Sequence, residues 1–123
     1  MVYLTSEEMS QELDQCIKDC LECYNVCIKT ISHCLQMGGK HAGAGHISLL
    51  RDCADVCRAN TDLMLRNSGW SGRTCSLCAD ICIECASNCE KFTDDQIMRE
   101  CANVCNHTAE SCRKVAEAVI QRI

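Results

Sequence analysis

The cysteines at 75, 78, 82, 85 and 89 step by three, four, three and four residues. Residues three and four apart are neighbours on the surface of an α-helix, about 5–6 Å between Cβ atoms. Alternating the two steps gives a 3.5-residue period, which runs as a straight seam down a helix that packs on other helices. A strand would scatter the five sulfurs over both faces, because its side chains alternate with a period of two. The segment is therefore a helix with thiols where a bundle normally keeps Leu and Ile.

The same seam repeats along the chain. Thr5-Ser6-Glu7-Glu8 has the form of a capping box, and Gly38-Gly39 supplies a left-handed stop after Met37. Between them Met9, Leu13, Cys16, Cys20, Cys23, Cys27, Thr30, Cys34 and Met37 follow one another in steps of four and three. A second helix begins near Gly45 and ends at Asn67-Ser68-Gly69, with His46, Leu50, Cys53, Cys57, Asn60 and Met64 on its seam. The third is the thiol-rich stretch, ending around Phe92. Thr93-Asp94-Asp95-Gln96 reads as a second capping box, with Met98, Cys101, Cys105, Thr108, Cys112, Val115 and Val119 on the seam that follows. All fifteen cysteines fall on these seams. The expected fold is all-α, an antiparallel up-down-up-down four-helix bundle with a cysteine-lined core. The expected organisation is one domain over 1–123, with helices at about 6–37, 45–67, 72–92 and 94–122.

Composition agrees with long helices and narrows the function. The 123 residues contain no Pro, and their six Gly sit in two short clusters. A formal charge of −5 with mixed signs offers no basic patch for nucleic acid, and no stretch approaches the roughly 20 apolar residues of a membrane span. Fifteen cysteines exceed the roughly 8–10% that marks a disulfide scaffold in a short secreted chain. The count is odd, however, and the opening MVYLTSEEMSQELDQC lacks a basic region followed by an apolar run. Thiols stacked along one stripe are also poor partners for one another. The expected location is a reducing cytoplasm.

Free Cys can be a small buried hydrophobe. Cys at so many seam positions leaves a thin core, which points to metal binding. Thiolates are soft ligands that select Cu(I), Zn(II) or iron–sulfur clusters. Zinc sites close around four ligands, usually C-x-x-C pairs on turns, whereas these ladders do not divide naturally into quartets. Bacterial iron–sulfur runs end in Pro, which the chain lacks. Cu(I) is satisfied by two or three thiolates and can be shared down a helix and across to the next. About one Cu(I) per thiolate would leave the column near neutral, as buried charges require. A zinc or cadmium thiolate sink and an iron–sulfur electron carrier are the alternatives. A thiol–disulfide oxidoreductase using Cys75-x-x-Cys78 or Cys82-x-x-Cys85 would leave most of the thiols unexplained, so no enzymatic activity is expected.

The runs Cys16-x3-Cys20-x2-Cys23-x3-Cys27 and Cys75-x2-Cys78-x3-Cys82-x2-Cys85-x3-Cys89 resemble those of the bacterial copper storage proteins, in the cytosolic branch of that family. The resemblance runs from about Thr5 to Arg122. It implies a four-helix bundle holding many Cu(I) ions, assembled as a homotetramer; a copper chaperone or efflux system is a further expected partner. The metal-binding set is then Cys16, Cys20, Cys23, Cys27, Cys34, Cys53, Cys57, Cys75, Cys78, Cys82, Cys85, Cys89, Cys101, Cys105 and Cys112. An antiparallel bundle gathers Met37, His46 and Met98 at one end, near His33 and His41. Thioether and imidazole suit transient capture, so this end is the expected mouth. His33 and His107 lie beside the seams rather than on them. Thr30, Asn60 and Thr108 are seam positions without a thiol. A second apolar stripe on the first helix, Ile17, Leu21, Tyr24, Ile28, Ile31 and Leu35, is divided between bundle core and subunit interface.

Overall fold

The computed structural model describes residues 6–122. Thr5, expected as the first helix cap, and the side chain of Val119, expected on the last seam, lie outside what is described. The described residues form four α-helices and a short 3-10 turn, with no strand: α1 (Ser6–Met37), the turn at Gly39–Ala42, α2 (Ala44–Leu65), α3 (Ser71–Cys89) and α4 (Gln96–Arg122).

Each helix ends for a local reason. Glu7 and Glu8 in the first turn of α1 complement the positive end of the helix dipole. After Met37, Gly38 and Gly39 take φ of 69° and 54°, which only glycine adopts without strain. Asn67 takes φ 53° after α2. Its N–H bonds to Met64 O, and Ser68 N–H bonds to Leu63 O, the paired bonds that close a helix in left-handed conformation. That closure stops α2 at Leu65 rather than near residue 67.

The α3–α4 junction departs further from expectation. Asp95, not Thr93, caps α4: its Oδ1 accepts the N–H groups of Ile97 and Met98 at 3.0 and 3.2 Å. A short carboxylate directly before the helix reaches those two amides, so α4 starts at Gln96. Turn bonds from Lys91 to Asn88 and from Phe92 to Cys89 end α3 at Cys89 instead of around 92.

Among the described residues each helix packs on its neighbours in sequence and α1 closes on α4, while the diagonal pairs meet only through side chains that reach across the axis, such as Cys53 and Cys105. Cys16 meets Cys112 while Cys34 meets Met98, so α1 and α4 run antiparallel. Cys57–Cys78 and His46–Asn88 show the same for α2 and α3. All fifteen thiols are reduced and buried. Beside them Ala54, Ala79, Ala86, Ala102, Ala109 and Ala116 are buried too. Small side chains let the helices approach closely, and larger ones plug the two ends: Met98 and His46 at one, Met9, Met64 and Val115 at the other. Met37 is the exception on the α1 seam. It is 56% exposed, because the last turn of α1 projects beyond the Cys34 level.

Candidate metal centre

All the thiols but Cys34 gather in one column. At the Met64 end, Cys112 Sγ lies 3.6 Å from Cys16 Sγ and 3.7 Å from Cys20 Sγ. Cys75 completes a set with Cys16 and Cys112 whose sulfurs all lie within 4.8 Å of one another, and Cys20, Cys57 and Cys78 form another. Cys57 reaches Cys78 at 3.6 Å and Cys82 at 3.8 Å. Cys53 touches Cys82, Cys23 and Cys105 at 3.7, 3.8 and 3.9 Å. Cys27 lies 4.0 Å from Cys105. Cys101 carries the column on, its thiol pushed down by neighbouring Cys105, Cys27, Cys85 and Cys89.

These separations are sulfur–sulfur contacts, far longer than the about 2.05 Å of a disulfide. A metal–sulfur bond of about 2.3 Å sets sulfurs about 4.0 Å apart around a three-coordinate ion and about 4.6 Å apart across a linear one. A soft cation is therefore accommodated between neighbours by shifts below about 1 Å. Two sets of four do occur: Cys23, Cys53, Cys57 and Cys82, and Cys23, Cys27, Cys53 and Cys105. Quartets were not expected, and they arise because sulfurs from three helices meet at each level. They share Cys23 and Cys53, so both cannot close around separate tetrahedral ions. The geometry favours bridging thiolates over isolated sites.

The sulfurs also set one another's proton affinity. Cys57 and Cys105 are pushed far up, first by hydrogen bonds with Cys20 and Cys101 respectively, with burial adding to it. Cys20 and Cys53 are pushed down, first by hydrogen bonds with Cys112 and Cys105. A cation bound among these sulfurs would displace their protons.

The thiol-free seam positions do not interrupt the column. Asn60 donates through Nδ2 to Cys75, Cys20 and Cys112 at 3.4, 3.6 and 3.8 Å. Its Oδ1 accepts the Thr74 hydroxyl at 2.7 Å, which fixes the amide. Thr30 bonds back to Val26 O, and Thr108 crosses to Asp19 O of α1. Both hydroxyls are thereby satisfied without a sulfur. Met64 places its thioether 3.7 Å from Cys75, so the apolar end also carries a soft donor.

At the opposite end Cys34 stands apart from the other thiols. Its sulfur lies 3.4 Å from His46 Nε2 and 3.6 Å from Met98 Sδ. Burial, then the charges of Asp95, Cys101 and Cys85, push its thiol up to about 11. Burial, with His41 adding to it, pushes His46 below its ordinary value, so the imidazole is neutral near pH 7. Asn88 Nδ2 donates to His46 Nδ1, which leaves Nε2 as the N–H facing Cys34. The structure thus brings His46 and Met98 together with Cys34. Met37 instead lines an outer cavity with His33 and His41. His107 lies away from the sulfurs, 3.4 Å from the Asp19 carboxylate, which also accepts from Ser111 and Gln15. Asn88 and Asp95 carry no seam signal, and only the folded loops reveal them.

A family model described as "Csp: Copper storage protein" matches residues 9–117. The chain belongs to the copper storage protein family. A Bacillus subtilis relative, an uncharacterized cysteine-rich protein named YhjQ, is 36% identical over 87 residues, covering 71% of this chain and 81% of the relative. The structure of Nmul_A1745 from Nitrosospira multiformis is 41% identical with a TM-score of 0.83, covering 88% of this chain and 97% of that one. The Cu(I)-bound copper storage protein BsCsp3 is 35% identical with a TM-score of 0.80, covering 85% and 98%. The thiol network of this copper storage family member thus spans the matched segment, from Cys16 to Cys112.

Proposed function

We propose that this chain stores Cu(I) in the cytosol, holding many ions on its fifteen cysteines without catalytic turnover. The observation that carries this reading is the dry column of reduced thiols, many of them 3.6–4.0 Å from a neighbouring sulfur, which offers bridging positions and no open coordination site for a substrate. Solved copper-bound relatives support the choice of metal. Reduced thiols in such number suit a cytosol that keeps them so.

Copper reaches the column where His46 and Met98 meet Cys34, a neutral imidazole and a thioether leading to the first thiol. Met37, His33 and His41 lie outside that point. Replacing Met37, His46 and Met98 together by Leu slows Cu(I) loading and leaves capacity intact; unchanged loading kinetics would remove this route. A homotetramer follows the family pattern, with exposed Leu21, Ile28 and Leu35 on α1 as the contact between copies. A copper chaperone or an efflux system is the expected partner in copper exchange.

Titrating reduced metal-free protein with Cu(I) against a competing chelator tests the whole reading. The expected capacity is about one ion per thiol. A metal-to-thiol ratio well below one, or a preference for Zn(II), would replace the copper store with a zinc-type sink.

A further inference from the structure

Outside the thiol column, three side chains from three separate elements converge on one point. His33 from the last turns of α1 and His41 from the 3-10 turn both direct Nε2 at the same oxygen, Asp95 Oδ2, at 2.7 and 2.9 Å. The three donor atoms lie within 4.8 Å of one another. The division of labour at Asp95 is complete, since Oδ1 caps α4 and Oδ2 faces the histidines. All three side chains are at most 20% exposed, and they border a surface cavity of about 820 Å³. Phe92 packs against His41 with ring centroids 4.3 Å apart and holds that ring in place.

We propose that His33, His41 and Asp95 form a second metal site, which takes a divalent borderline cation such as Zn(II) or Cu(II). Two imidazoles and a carboxylate are the donors such ions prefer, whereas thiolates select Cu(I). Metal–nitrogen and metal–oxygen bonds of about 2.0–2.2 Å set neighbouring ligand atoms about 3.3–3.5 Å apart around a tetrahedral ion. The His33–Asp95 and His41–Asp95 edges then open by about 0.5 Å. The cavity side leaves room for a water ligand. The carboxylate offsets one positive charge, and Asp94 and Glu100 line the same cavity in a chain of net charge −5. To bind the ion each imidazole gives up its Nε2 proton and carries its hydrogen on Nδ1, as metal-ligating histidines do. The two kinds of site are separated by chemistry as well as position, because Cys34 faces His46 and Met98 rather than these histidines.

The proposal does not rest on copper storage, and its test keeps the two apart. Protein whose thiols have first been filled with Cu(I) is freed of excess copper and titrated with Zn(II) by calorimetry. One Zn(II) per chain is expected, weakened at least tenfold in Asp95→Asn and in His41→Ala, with Cu(I) capacity unchanged in both. Asn caps a helix about as well as Asp, so Asp95→Asn keeps α4 intact. Co(II) added to the same protein gives d–d bands without sulfur-to-cobalt charge transfer. Failure of wild-type protein to hold Zn(II) at micromolar concentration would overturn the site. Equal retention by both variants, or a charge-transfer band that places the ion on sulfur, would do the same. Failure of the preceding copper titration would instead strike the storage reading, and the difference in Zn(II) binding between metal-free wild-type protein and metal-free Asp95→Asn then still reports on this site.

Discussion

Asn60 is fully buried among three sulfurs, and its replacement by Ala separates a structural role from a ligand role. The side chain makes one strong bond, from Thr74 Oγ1 at 2.7 Å, and several weaker N–H···S contacts at 3.4–3.8 Å. A net hydrogen bond contributes about 1 kcal/mol, so the strong bond and the sulfur contacts together give about 1.5–2 kcal/mol. The void left by the amide adds about 0.5–1 kcal/mol at roughly 24 cal/mol per Å³. Thr74 keeps its bond to Ser71 O at 3.2 Å, which holds down the penalty on that side. Asn60→Ala is thus expected to destabilise metal-free protein by about 2–3 kcal/mol. For a domain of this size that lowers Tm by about 6–15 °C, read by far-ultraviolet circular dichroism. Cu(I) capacity stays the same, because Asn60 contributes no sulfur. Asn60→Cys, which puts a thiol beside Cys20, Cys75 and Cys112, raises capacity by about one ion. A loss of capacity in Asn60→Ala, or a Tm within about 2 °C of wild type, would refute this account.

Metal-free protein should already be helical by circular dichroism, and copper that binds only the folded form should raise its stability by about 2.7 kcal/mol for each site at a hundredfold excess over that site's Kd; an unfolded metal-free chain would contradict the capped helices. Burial raises the Asp95 carboxyl, but hydrogen bonds from His33 and His41 outweigh it and hold the group at about 2, below its ordinary 3.8. A depressed carboxyl stabilises the fold above its unfolded value, so metal-free protein loses stability as pH falls from about 4 towards 2, and Asp95→Asn flattens that part of an acid titration. Each thiol that binds Cu(I) releases its proton, so affinity measured against a chelator should fall as pH drops, by up to tenfold per pH unit for each proton displaced; a flat profile would mean the thiols are already ionised. Asn88→Asp, whose carboxylate would accept a proton from His46 Nδ1 and turn the Nε2 lone pair towards Cys34, should speed copper loading in stopped-flow measurements, and Asn88→Leu should not.

The sequence by itself determined the helices and the column. A 3.5-residue period fixes which side of each helix faces inward whatever surrounds it, so steps such as Cys75, Cys78, Cys82, Cys85 and Cys89 place those sulfurs on one seam before any contact is known. Glycine pairs and short capping side chains mark helix ends to within a few residues, although choosing Asp95 over Thr93 depended on which side chain the folded turn brings to the α4 amides. Tertiary structure alone decided the rest. Which sulfurs touch, that the quartets interlock through Cys23 and Cys53, and that Asn60 serves three thiols depend on how far each helix slides along its neighbours. Periodicity says nothing about that axial offset. The same applies at the His33, His41 and Asp95 cluster, where residues up to 62 apart in sequence meet because loop lengths and bundle closure bring them together. Met37 shows the converse: its place in the repeat pointed inward, but the bundle ends one turn earlier and leaves it in the solvent.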